Sequence, residues 1–158
     1  MKKLFTILLC LTAFGCATSN NGTIGKNIIK NEEAGTLMLN RYYELIGINN
    51  NGEFVLFEPG HGGAGLIKFN ANGSFEATSG INNGFGKYTY KNTHAEFATL
   101  TIDSLGVTRM AGENAQANAF DVLFFGNLDS CKFIAIEGTV IKLFDAQKNE
   151  QMRFYLKG

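Results

Sequence analysis

The stretch EPGHGGAG, Glu58 to Gly65, holds the residue types best suited to chemistry in this chain of 158 residues. His61 stands there among four glycines, and an imidazole is the commonest general base and metal ligand. A phosphate loop would need Lys-Ser or Lys-Thr and then a helix, whereas a strand is predicted to follow. The other histidine, His94, lies in a different turn. The pattern therefore favours a flexible loop with His61 as a speculative ligand residue, and no metal site.

The serines and carboxylates show no recognisable catalytic pattern. No serine lies in a Gly-x-Ser-x-Gly elbow. The carboxylates, which include Glu76, Asp121 and Glu137, are scattered along the chain and are interpreted as solvated strand and helix faces. We therefore expect neither an enzyme nor a cofactor. The alternative that stays open is a hydrolase that uses His61 or His94 with a nearby carboxylate.

The N-terminus, MKKLFTILLCLTAFGC, carries two lysines and then an apolar run of 11 residues, Leu4 to Phe14. This run is shorter than the about 20 residues that a transmembrane helix needs and is typical of a secretory signal. The step Ala13-Phe14-Gly15-Cys16 resembles the lipobox of bacterial lipoproteins, which predicts Cys16 as the lipid attachment site. The alternative is an ordinary signal peptide cleaved near Ala17.

These features predict three segments: a lipoprotein signal peptide at 1–15, the lipidated Cys16 with a flexible tether at 16–35, and a folded domain at 36–158. The tether is rich in Asn and Gly and has a typical reach of roughly 25 Å. The formal net charge of zero leaves no electrostatic footprint for nucleic acid. The uncharged residues after Cys16 favour a lipid-anchored position on the outer membrane, facing the periplasm.

From Thr36 onward, turn signals recur at short spacing, which predicts a mainly β, α+β domain. Alternating runs mark the strands: LNRYYELIGI, EFVLF, GLIKF, SFEATS, KYTYK, AEFATLTI, CKFIAIEG, TVIKLFD and QMRFYL. The pair Asn72-Gly73 predicts a hairpin turn, because both residues tolerate positive φ. Cys131 begins a predicted strand and is expected to be a buried, inert thiol.

One segment departs from the strand pattern. Ala117, Phe120, Phe124 and Leu128 recur at helical spacing. Gly126-Asn127 is a typical helix stop. The pattern predicts one amphipathic helix that packs across about eight strands.

Several motifs resemble those of META (HslJ-like) domains. Within SGINNGFGKYTY, Ser79 to Tyr90, the matching residues are Gly80, Asn82, Phe85, Gly86 and Tyr88. Within TRMAG, they are Thr108, Met110 and Ala111. RYYELIGI is similar to the family's opening strand, with Tyr43 where Trp is common. The resemblance covers about residues 37 to 157.

The resemblance implies a strongly curved antiparallel sheet, a partial barrel, with a helix against it. It also implies a bacterial envelope protein, associated with heat shock, drug tolerance or motility, but no reaction. The family's two motif cysteines, a disulfide pair by this resemblance, correspond here to Ile81 and Gly112. Packing and hydrogen bonds are therefore expected to hold this loop to the helix start.

The function predicted on this basis is a non-catalytic cell-envelope lipoprotein with a META-like binding or interaction domain, in the envelope stress response. The expected partners are the membrane, through the lipid anchor, and an unknown envelope protein or a small apolar ligand. Besides the hydrolase, the alternatives are a small-protein inhibitor and a lipid-binding groove. Such a groove would be lined by some of the many aromatic residues if the sheet is open on one side.

Overall fold

The computed structural model describes residues 39–58, 65–91 and 96–158. The predicted signal peptide, Cys16 and the tether lie outside the described residues, and so do His61 and His94.

The described residues form nine strands and one helix. In chain order, they are β1 (Tyr42–Asn50), β2 (Glu53–Leu56), β3 (Leu66–Phe69), β4 (Ser74–Thr78), β5 (Asn83–Lys91), β6 (Ala98–Val107), α1 (Ala115–Ser130), β7 (Phe133–Glu137), β8 (Val140–Phe144) and β9 (Glu150–Leu156).

The strands make one antiparallel sheet that closes into a barrel. β1 pairs with β3, each later strand pairs with the next, and β9 returns to pair with β1, so that Leu45 lies opposite Phe154. β2 pairs only with the second half of β1 and stays outside the eight-stranded ring. The predicted fold class is confirmed, and the β1–β9 pairing makes the closure complete.

Two hairpin turns use positive φ differently. Between β1 and β2, Asn51 (φ 53°) and Gly52 (φ 96°) form the two-residue turn that favours Asn-Gly. The predicted hairpin between β3 and β4 also forms, but only Gly73 has a positive φ there, of 80°. Its loop is longer, with a hydrogen bond of 3.1 Å from the Gly73 amide to the Asn70 carbonyl. The predicted hairpin is therefore present, with the positive φ at the glycine alone.

The barrel interior is filled by alternate residues of the strands. Phe69, Phe75 and Tyr88 are all buried there, and the Phe69 and Tyr88 rings meet edge to face at 4.9 Å. Burial of each such side chain contributes about 1.5–3 kcal/mol.

α1 packs its rings against the barrel. Asn114 caps its start by accepting a hydrogen bond of 2.9 Å from the Ala117 amide. Phe124, Phe125 and Leu128 are buried, and the Phe124 ring lies against that of Phe154 at 6.4 Å. Over the described residues, no helix combines the length and apolar character that a membrane crossing needs.

The helix runs past the predicted stop at Gly126-Asn127 and ends at Ser130. Leu128, just beyond that stop, is completely buried, and Nδ2 of the Asn127 side chain donates a hydrogen bond of 2.7 Å to the Asn49 backbone carbonyl. These tertiary contacts outweigh the local preference of Gly-Asn for a helix end.

Candidate functional site

The side chain of Asn82 joins three segments of the chain. It lies just before β5 and is only 4% exposed. Its Oδ1 accepts hydrogen bonds from the Met110 amide (2.7 Å) and from Thr108 Oγ1 (2.9 Å). Its Nδ2 donates to the Met110 carbonyl (3.1 Å) and to Asp121 Oδ2 (3.0 Å). All four hydrogen-bonding positions of this amide are therefore used within the protein.

Ser79 and Asp121 complete this cluster. Ser79 Oγ donates to Asp121 Oδ1 and accepts from the amides of Ile81 (3.3 Å) and Asn82 (3.2 Å). Asp121 is thus partly buried and bound on both oxygens, so its interpretation as a solvated helix face is wrong. One signal was available in the sequence, because Asp121 lies four residues after Ala117 on the predicted buried stripe of the helix.

The Thr108–Ala111 stretch contributes the Thr108 hydroxyl and the Met110 backbone to this cluster. Thr108 Oγ1 also accepts from the Asn83 amide at 2.9 Å, which continues the pairing of β5 with β6. The Met110 side chain is 63% exposed although its amide and carbonyl both bind Asn82. Ala111 is exposed as well.

Gly80, Gly86 and Tyr88 of the family motif each have a structural reason for their residue type. Gly80 has a φ of 93°, which suits glycine in the tight loop after β4. A side chain at Gly86 would overlap the Ser104 carbonyl and come within 2.8 Å of the Phe75 ring, so β5 and β6 require a glycine here. The Tyr88 hydroxyl donates to the Asn70 carbonyl at 2.9 Å, and burial raises the pKa of Tyr88.

The positions that correspond to the family's two cysteines lie against each other. A Cβ added to Gly112 would meet Ile81 Cδ1 at 2.5 Å and Ala117 Cβ at 3.1 Å. The Ile81 side chain therefore occupies the space beside Gly112. The Gly112 amide also donates to Asn118 Oδ1 at 2.7 Å. Packing and hydrogen bonds join the loop to the helix start.

A polar cleft of about 760 Å³ opens at the side of the barrel, between α1, the β1–β2 hairpin and the β8–β9 turn. Its volume falls within the usual range for small-molecule sites. α1 contributes Leu123 and Asn127, and the hairpin contributes Asn49, Asn51 and Phe54. None of the lining residues is among the predicted site residues. The sequence did not single them out, because they come from segments that lie far apart in the chain.

The β8–β9 turn and the start of β9 supply the charged part of the cleft. Asp145 accepts hydrogen bonds from the Gln147 and Asn149 amides, at 2.9 and 2.8 Å. Glu150 holds Arg153 in a two-pronged ion pair of 2.6 and 2.8 Å, and the guanidinium lies 5.2 Å from the centre of the Phe54 ring. Hydrogen bonding to Glu150 raises the pKa of Arg153.

The hydrolase alternative depends on His61 and His94. Both histidines lie outside the described residues, so the hydrolase alternative stays a prediction. Ser130 Oγ binds the Asn127 carbonyl at 2.7 Å, and Ser104 Oγ accepts from the Lys87 amide at 3.3 Å. Cys131 is buried as expected, and burial raises the pKa of its thiol.

The family model for the META domain matches residues 36–157, which include the barrel, α1 and the Asn82 cluster. The chain belongs to the META domain family. The described part of this META domain therefore includes the whole closed ring of strands.

Solved structures resemble this META domain in fold. A protein from Burkholderia xenovorans, solved by NMR, has a TM-score of 0.60 and 17% identity, and the match covers 80% of this chain and 88% of that one. A second NMR structure has a TM-score of 0.52 and 19% identity, with 78% of this chain and 93% of the other covered. None of the curated proteins matches the chain.

Proposed function

We propose that the chain is a non-catalytic cell-envelope lipoprotein, anchored through Cys16, whose META domain binds a partner or ligand in the polar cleft. It faces the periplasm from the outer membrane and serves in the response to envelope stress. The cleft is the observation that carries the binding role, because it gathers hydrogen-bonding side chains around an opening of small-ligand size. The basic start, the short apolar run and the Gly-Cys step support the anchor.

The ligand proposed for this cleft is polar. The described part of the barrel interior is packed with side chains such as Leu45, Phe69 and Phe154, all with no exposure. The cleft instead presents amide side chains and an ion pair beside the apolar Phe54 and Leu123. A polar ligand would replace the hydrogen bonds with water that these groups make when the cleft is empty.

The anchor is tested by metabolic labelling with a palmitate analogue, followed by membrane fractionation. We expect Cys16→Ala to lose the label and leave the membrane fraction, because no other residue supplies the thiol at the cleavage site. Cys10→Ala is the matched control, since it alters a cysteine of the same segment and should keep the label. Label that persists in Cys16→Ala would refute the anchor.

The binding role is tested by a photocrosslinking residue placed at Asn149, at the edge of the cleft. We expect this position to capture an envelope component in living cells, whereas the same residue at Gln116, on the exposed start of α1, should not. Equal capture from both positions, or from neither, would contradict a binding role of the cleft.

A further inference from the structure

The charged groups of the cleft make hydrogen bonds within the protein. Asp145 Oδ2 accepts from Asn149 Nδ2 at 3.1 Å and from Gln151 Nε2 at 2.8 Å, in addition to the two backbone bonds on Oδ1. Glu150 and Arg153 bind each other through two hydrogen bonds. Asp145 keeps its negative charge, but all four acceptor positions of its carboxylate are used within the protein. Glu150 and Arg153 are each other's counter-ion.

The amide groups of the cleft are oriented by these same contacts. Asn127 donates its Nδ2 to the Asn49 carbonyl at 2.7 Å, and the Nδ2 of Asn149 and the Nε2 of Gln151 are directed to Asp145. The carbonyl oxygens of these three side chains then have no partner in the described protein. Each can accept hydrogen bonds from a ligand. The cleft thus offers neutral acceptors that match hydroxyl and amide N–H donors.

An aromatic ring completes the lining. Phe54 is half-buried on β2, and a Cβ at Gly47 would come within 2.6 Å of its Cε1, so the ring lies close on the neighbouring strand. The Arg153 guanidinium also contacts the ring, at 5.2 Å. Both contacts restrain Phe54, and its remaining surface with Leu123 gives the cleft its apolar part.

We infer that this cleft binds a neutral saccharide whose hydroxyl and acetamido N–H groups donate to the carbonyl oxygens of Asn127, Asn149 and Gln151. The C–H face of a sugar ring would lie on Phe54 and Leu123. The inference rests on the proposed binding function. An extended peptide would instead need alternating backbone donors and acceptors along a strand edge, with pockets for its side chains. The cleft offers mainly side-chain acceptors.

The test is isothermal titration calorimetry with the full-length chain in a detergent that has no sugar headgroup. The probe is N,N′-diacetylchitobiose, a neutral disaccharide with hydroxyl and acetamido donors. We expect a dissociation constant on the order of 1 mM or lower. Loss of the Gln151 acceptor in Gln151→Met should weaken binding about 5- to 10-fold, the effect of one hydrogen bond.

Asn149→Trp should abolish binding by filling the edge of the cleft, and it keeps the backbone bond of residue 149 to Asp145. Gln116→Trp is the matched control on an exposed site outside the cleft and should bind as the wild type does. Thermal unfolding of each variant checks that it is folded. Binding by Asn149→Trp equal to that of the wild type would overturn the assignment of the site.

Two further ligands test whether the cleft prefers a neutral saccharide. Chitobiose, whose two amino groups are cationic, and a blocked tetra-alanine peptide are titrated in parallel. Preference for either over the neutral disaccharide would overturn the saccharide inference. So would failure of the disaccharide to bind while Asn149 still gives photocrosslinks in cells, and that result would leave the proposed binding function standing.

Discussion

At the scale of single residues, the Asn82 side chain makes four hydrogen bonds, more than the side chain of any other family-motif residue in the described chain. Its amide binds backbone and side-chain groups of the Met110 and Thr108 segment, and the Asp121 carboxylate on α1. Asn82 itself is buried and these four hydrogen bonds are part-buried, so the loss of the amide removes a partner that water replaces only in part. Asn82 therefore acts as a structural joint and not as a reactive group.

We predict that Asn82→Leu lowers the free energy of unfolding by roughly 2–4 kcal/mol, because it removes four part-buried hydrogen bonds and places an apolar side chain against their polar partners. Urea unfolding followed by circular dichroism measures the change. Asn83→Ala is the control, since that neighbouring side chain is exposed and makes no hydrogen bond within the described residues. If Asn82→Leu changes the free energy of unfolding as little as Asn83→Ala does, the structural role of Asn82 is contradicted.

Asp145 gives a second prediction, on acid stability. Burial acts to raise the pKa of Asp145, but hydrogen bonds from Asn149, Gln147 and Gln151 outweigh it and lower the pKa below 3.8. A carboxyl group whose pKa is lowered by folding stabilises the protein above its unfolded pKa, and this contribution is lost as the pH falls through the folded pKa. The stabilisation by Asp145 is therefore present at neutral pH and lost in strong acid.

We expect Asp145→Asn to be less stable than the wild type near pH 7, with the difference narrowing as the pH falls toward about 2. Urea unfolding at a series of pH values measures this. Asp129→Asn is the control, because the Asp129 carboxylate accepts no hydrogen bond from the described residues, and the effect of its substitution should not narrow in the same way. A difference for Asp145→Asn that is constant with pH would refute the prediction.

At the scale of elements, the β4–β5 loop and the segment before α1 are held together without a covalent bond. Ile81 fills the space beside Gly112, and the Asn82 cluster lies next to this contact. The absence of a side chain at Gly112 leaves the space that the Ile81 side chain occupies. This packing makes the two positions suitable for a disulfide that would replace it.

We predict that Ile81→Cys combined with Gly112→Cys forms a disulfide under oxidising conditions and raises stability by about 2–4 kcal/mol over the reduced form. Thermal unfolding with and without reductant measures the gain. Ile81→Cys alone is the control, since it has no thiol beside it and should not respond to reductant. Cys131 does not compete, because it is buried at the end of α1. Equal midpoints with and without reductant would show that the positions cannot be bridged.

At the scale of the whole molecule, stability depends on the closure of the ring. β9 is the last strand, and it pairs with both β8 and β1, so it joins the two ends of the domain. Phe154 points from this strand into the core and has no exposure, whereas the next residue, Tyr155, is 40% exposed on the outer face. Substitutions at these two neighbouring positions therefore distinguish the contribution of core packing to stability from that of the strand itself.

Phe154→Ala should lower the free energy of unfolding by about 3–5 kcal/mol, because it leaves a cavity where β9, β1 and the Phe124 ring of α1 meet. Tyr155→Ala, on the same strand, should cost less than about 1 kcal/mol. Denaturant unfolding followed both by circular dichroism and by tyrosine fluorescence checks the values and the cooperativity. Similar losses for the two variants would contradict a core centred on the closing strand.

Much of the architecture follows from the sequence alone. Alternation in KYTYK and AEFATLTI identifies β5 and β6, Asn51-Gly52 ends the first strand in a tight turn, and the stripe from Ala117 to Leu128 identifies α1. These features are local, because a strand or helix buries a face whose period is written in neighbouring residues. The motif residues Asn82 and Thr108 also stand out by type and spacing, through the resemblance to the family.

Only the tertiary structure shows how distant segments meet. The end of α1 lies beyond Gly126-Asn127 because Leu128 is buried and Asn127 binds the Asn49 carbonyl. The pairing of β1 with β9, the bonds of Ser79 to Asp121, and the cleft between α1 and the β8–β9 turn all join residues far apart in the chain. Local periodicity carries no information about such contacts, since they depend on how the closed barrel brings the elements together in space.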